Sequence, residues 1–202
     1  MKSTKNTVAR RSLVLAGTTG AAALAAIVPS SFASGAVASP TTGVKVPYSC
    51  NSAIGSVSAP VTIAGTTPAT AAALSAVTMS GYQVKVHVPA ADVNKVISLT
   101  HAKSAKGTVT TLDVKSSDAK PATVNAAKKP ISFGPVALVM NKALTISVPA
   151  KPTTIGSWVA QTAGTMTFSP AGMVLTIDVG TFAVKATCKP TSTVTLSSTT
   201  VS

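Results

Sequence analysis

The stretch TFAVKATC, residues 181–188, alternates apolar and polar side chains and closes on a cysteine, Cys188. Alternation at a period of two is the mark of a strand with one buried face. The only other cysteine, Cys50, closes a second strand-like run far upstream, VPYSC at 46–50. Between the two, GYQVKVHVP at 81–89 puts Tyr82, Val84, Val86 and Val88 on one face and Gln83, Lys85 and His87 on the other. Thr, Val, Ser and Ala dominate the chain, with Pro and Gly as punctuation, a composition suited to many short strands joined by turns.

Read this way, strands fall near 44–49, 56–64, 76–88, 107–115, 121–126, 136–149, 155–168, 172–178, 180–188 and 193–200. TMTFSPAGMVLTIDV, residues 165–179, reads as a hairpin that turns at Ser169, Pro170, Ala171 and Gly172. PAADVNKVISLTHA at 89–102 offers Val93, Val96 and Ile97 at helical spacing, with Asp92 in the first turn, and predicts one short helix. Strands at this spacing without alternating long helices exclude a βαβ architecture. They predict an all-β, Greek-key or immunoglobulin-like antiparallel β-sandwich with at most one short helix. The tail KPTSTVTLSSTTVS, residues 189–202, reads as a closing strand through Val194 and Leu196.

Residues 1–38 have the order of an export signal: Lys2, Lys5, Arg10 and Arg11, then an apolar run from Leu13 to Val28, then small residues ending at Ala36, Val37 and Ala38. Cleavage is expected after Ala38. Arg10 and Arg11 resemble a twin-arginine signal, and the ordinary secretory route stays open. The remainder, 39–202, suits one domain with a real core. No later apolar run approaches the roughly 20 residues of a membrane-spanning helix, and no lipid-attachment cysteine or sorting tail is read, so retention at a surface is expected to be non-covalent.

An exported chain meets an oxidising compartment, and two cysteines leave one intramolecular pairing, Cys50 with Cys188. Their wide separation and the lack of histidine partners argue against a redox or metal pair. Closing a loop of this length stabilises a fold by roughly 5 kcal/mol in the chain-entropy account, comparable to the whole net stability of a small domain.

After the signal the chain carries 13 Lys against Asp92, Asp113, Asp118 and Asp178, with no Arg and no Glu, a net charge of +9. Such a charge favours anionic neighbours: phosphate-rich wall polymers, anionic lipid headgroups or nucleic acid. The same lysines could serve only to keep the sheet soluble and its edges unpaired. Specific nucleic-acid recognition is not expected, because bidentate base contacts rely on Arg. The loops HAKSAKG and VNAAKKP nominate Lys103, Lys106, Lys128 and Lys129 as a binding surface.

The layout of export signal, VPYSC, Pro-punctuated strands and GTFAVKATCKP resembles an uncharacterised family of secreted actinobacterial β-sandwich domains. The similarity is carried by Y-x-C at Tyr48 and Cys50 and by Phe182, Val184 and Cys188. The resemblance implies a Greek-key sandwich with bridged cysteines and transfers no catalytic residue. The richness in lysine departs from that family.

Few groups in the chain could carry chemistry. Four Asp and no Glu leave little for a carboxylate-pair hydrolase; Asp113 and Asp178 read as solvent-face strand residues and Asp92 and Asp118 as turn residues. No G-x-S-x-G turn supports a serine hydrolase. His87 reads as a solvated strand residue and His101 as a loop residue. Among the aromatics, Trp158 beside Gly156 and Ser157 is the best sugar-stacking anchor, against the competing reading of a core tryptophan. No catalytic residue, cofactor or metal is expected. The reading is a secreted, non-enzymatic envelope protein whose lysines contact anionic wall polymers or another envelope protein. The alternative is a hydrophobic-ligand carrier or a protein inhibitor.

Overall fold

The computed structural model describes residues 43–202, apart from Ile54. The export signal assigned to 1–38 and the start of the domain at 39 lie outside the described residues.

Among the described residues twelve strands and one helix follow in order: β1 (Val44–Ser52), β2 (Gly55–Thr66), β3 (Thr70–Ala71), β4 (Ala76–Val88), α1 (Ala90–Thr100), β5 (Ser104–Ser116), β6 (Ala119–Lys120), β7 (Thr123–Asn125), β8 (Ile131–Ala137), β9 (Leu144–Ala160), β10 (Gly164–Val179), β11 (Phe182–Pro190) and β12 (Ser197–Val201). The described residues form an all-β, sandwich-like fold with one short helix. A continuous antiparallel ladder runs β8–β5–β10–β11–β1–β2–β4–β9. The tail adds β12 along the first half of β10, and β3 joins β12 in parallel.

The ladder folds over so that β4 and β9 face β10. Trp158 on β9 meets Phe168 on β10 edge-on, with ring centroids 5.0 Å apart, an arrangement aromatic quadrupoles favour. Tyr82, Met79, Ile63 and Met166 are fully buried beside them, so side chains fill the space between the layers. Gly156 makes room for the indole: its φ is +80°, and a Cβ there would overlap the six-membered ring of Trp158. Trp158 is therefore a core residue with 0% exposure, and its nomination as a surface anchor is corrected. Being large and apolar at an inward strand position, it gains more from burial than from solvent contact.

Cys50 and Cys188 are direct register partners on β1 and β11 and form the disulfide, with S–S 2.07 Å and Cα atoms 3.9 Å apart. The expected helix is α1. It follows Pro89 and ends where His101, at φ 52°, donates its backbone N–H to the Ile97 carbonyl at 2.8 Å.

Three strand expectations are corrected. The hairpin placed at Ser169–Gly172 is a bulge inside one strand: β5 runs alongside both halves, pairing Pro170 with Val114 and Met173 with Leu112. A proline is tolerated there because the bulge already interrupts the ladder. The run 155–168 is instead broken at 161–163, where the chain passes from β9 to β10, which are not ladder partners. The run 136–149 is likewise divided between β8 and β9. There Asn141 takes φ 61°, a conformation asparagine accepts more readily than most residues.

Candidate functional site

The β10 bulge is one wall of a groove of about 620 Å³. Asp113 and Lys115 of β5 with Thr123 of β7 form the floor on one side, and residues 189–193, leaving β11, form the other wall. VPYSC holds both walls. From β1 the Tyr48 hydroxyl donates to the Ala171 carbonyl at 3.1 Å, fixing the bulge. One residue earlier, the Pro47 carbonyl accepts the backbone N–H of Thr191 at 2.9 Å and its hydroxyl at 3.2 Å. The Cys50–Cys188 bond then fastens β1 to β11 immediately before Lys189. The Y-x-C pattern thus couples a covalent staple to the walls of the groove.

The lining presents Lys115 and Lys189, one carboxylate, Asp113, and the hydroxyls of Thr123, Ser169, Thr191, Ser192 and Thr193. Burial raises the Asp113 carboxyl above its ordinary range, and the neighbouring Lys115 opposes that rise. Burial, and secondarily the charge of Asp113, push the Tyr48 phenol up to about 12, which keeps it a neutral donor at physiological pH. Such a surface offers two positive charges and many groups able both to donate and to accept hydrogen bonds.

The four nominated lysines are all exposed but do not converge. Lys103 and Lys106 flank the start of β5, where Ser104 and Ala105 pair with Ala137 and Val136, whereas Lys128 and Lys129 precede Ile131 at the other end of β8. None of them lines the groove. The sequence nominated neither Lys115 nor Lys189 and read Asp113 as a solvent-face residue, whereas it is half-buried at the groove. The signal available was CKP at 188–190, a lysine directly after the bridged cysteine.

His87 lies on β4 between Thr62 Oγ1 at 3.0 Å and Thr145 Oγ1 at 3.2 Å, and His101 caps α1. Among the described residues no three His, Cys, Asp or Glu side chains gather as a metal site. A second concavity of about 380 Å³ lies between β8 and β9, around Phe133, Val136 and Ile146. Among the described residues no helix is long and apolar enough to cross a membrane.

No family model matches the chain, and no curated protein matches it. One solved structure is similar, that of a protein from Corynebacterium diphtheriae described as membrane anchored. It shares 20% identity at a TM-score of 0.48, over 81% of this chain and 37% of that one. This chain therefore spans little more than a third of that protein's length.

Proposed function

We propose that the protein is a non-enzymatic interaction module of the extracellular cell envelope. In this reading it holds an anionic, hydroxylated wall polymer along the groove between the β10 bulge and residues 189–193. The observation that carries this is the lining itself, two lysines and five hydroxyl side chains around a single carboxylate. Hydrolysis by a carboxylate pair needs a second acid across the cleft, and a serine nucleophile needs a base; neither a second carboxylate nor a histidine lines the groove. A disulfide closing 138 residues suits an oxidising compartment. The net charge of +9 after the signal adds long-range attraction to phosphate-rich polymers.

The test is cosedimentation with purified cell wall. Wild type should bind and be released as ionic strength rises, because exposed charges are screened over about 10 Å at 0.1 M salt. The Lys115→Gln, Lys189→Gln double variant should bind at least about tenfold more weakly. Retention that ignores salt, or a double variant that binds like wild type, contradicts this reading.

A further inference from the structure

A different part of the surface has a different chemistry. Among the described residues six large apolar side chains are exposed, and four of them, Leu99, Val139, Met140 and Phe182, belong to segments that meet at one end of the molecule. A small satellite core brings those segments together: Ala102, Ala105 and Val179, with Val96 of α1 and Leu138 packed on them. Leu99 is in the last turn of α1 and is 80% exposed. Phe182, 56% exposed, pairs with Val179 across a two-residue turn whose Gly180 comes close to Thr100 and Ala102.

Val139 and Met140 are held in place on both sides. Leu138 donates its N–H to the Lys103 carbonyl at 2.9 Å. Asn141 and Asn94 exchange two hydrogen bonds, Asn141 N–H to Asn94 Oδ1 at 2.7 Å and Asn94 Nδ2 to Asn141 Oδ1 at 2.9 Å. Exposed lysines stand on the same segments: Lys95 on α1, Lys103 and Lys106 around the start of β5, and Lys142 after Asn141. Two acids share this end, Asp92, 3.7 Å from Lys95, and Asp178, the register partner of Lys106. The lysines outnumber them by two.

We propose that this end docks onto a bilayer bearing anionic lipid headgroups, with Leu99, Val139, Met140 and Phe182 entering the headgroup–acyl boundary and the lysines meeting lipid phosphates. Four apolar side chains spread over three segments, α1, the loop at 139–140 and β11, form no groove that a folded partner would have to match. A bilayer needs no such match: it rewards inserted apolar area and nearby cations together. The inference stands apart from the groove reading and uses none of its residues.

Vesicle flotation tests it, with phosphatidylcholine–phosphatidylglycerol vesicles set against phosphatidylcholine alone. Wild type should float with the anionic vesicles and much less with the neutral ones. The Leu99→Ser, Met140→Ser, Phe182→Ser variant should lose at least about tenfold in partitioning without a change in melting temperature, since all three side chains are at the surface. Lys103→Gln and Lys142→Gln should each cost about fivefold. The groove variant Lys115→Gln, Lys189→Gln should float as wild type, which keeps failure here separate from failure of wall binding. Phe182→Trp should add an emission component that shifts to the blue on vesicle addition. Wild type failing to float overturns the proposal, as does a triple serine variant that floats unchanged. So does a concentration-dependent dimer, abolished by the same three serines and unaffected by vesicles, which would make a second copy the occupant.

Discussion

The groove and the α1 end lie at opposite ends of β5 and β11, with the groove's bulge midway along β10, and are built on opposite terms. Asp113 lies seven positions along β5 from Lys106, roughly 23 Å of strand. At the groove every wall is tied by long-range bonds: Tyr48 to Ala171 across 123 residues, Pro47 to Thr191 across 144, and the disulfide across 138. At the α1 end a few alanines and valines form a satellite core, and large apolar side chains are left outside it. A polar site gains from rigid walls, because hydrogen-bonding groups fixed before binding lose less entropy when they bind. An apolar tip needs only exposure, because its gain comes from area removed from water.

The largest test of this contrast is the staple. Replacing both cysteines, Cys50→Ser with Cys188→Ser, should cost about 2–5 kcal/mol in urea unfolding. It should also weaken wall binding more than vesicle binding, since only the groove has its walls braced by β1, through Tyr48 and Pro47. Equal losses at both ends would dissolve the distinction.

A sharper and smaller probe is Tyr48→Phe. It leaves the Ala171 carbonyl without its hydroxyl donor, at a cost of about 1 kcal/mol, and should loosen the groove while vesicle flotation is unchanged. Its pH signature has a defined sign. A phenol raised by burial favours the neutral folded form, so the stability tied to it is complete below pH 10 and is lost as pH rises toward about 12. Tyr82, raised further in the same direction chiefly by burial, adds to the alkaline loss. Tyr48→Phe should therefore reduce, without removing, the fall in melting temperature above pH 10.

The smallest expected effect is at Asp113. Its raised carboxyl means that the folded state holds the proton more tightly than the unfolded chain, so stability declines as pH rises through and above 3.8. Asp113→Asn should flatten that part of the stability profile and leave the protein no less stable at neutral pH. A steeper profile would show that the carboxylate is held by attraction to Lys115 rather than opposed by burial.

Much of the body was legible in the chain. The alternation at 82–88 became β4, whose Tyr82 and Val84 are buried; the spacing of Val93, Val96 and Ile97 became α1; and the two cysteines became the register partners of β1 and β11. The groove was not legible. SPAG at 169–172 has the composition of a turn, and only the presence of β5 alongside both halves makes it a bulge. Phe182 misled in the other direction. It occupies an apolar position in an alternating strand, yet as the first residue of β11, paired with Val179 next to the turn, it is exposed.

From residue order alone came the strand periodicity, the one available cysteine pairing and the excess of lysine over acid, because each depends on local stereochemistry or on counting. The tertiary structure alone decided which lysines meet an acid in a groove, which stand beside bare apolar side chains, and that Trp158 faces Phe168 rather than a ligand. Alternation says which side chains share a face of a strand. What lies against that face is set by other strands of the fold, often far along the chain, and no local pattern carries that information.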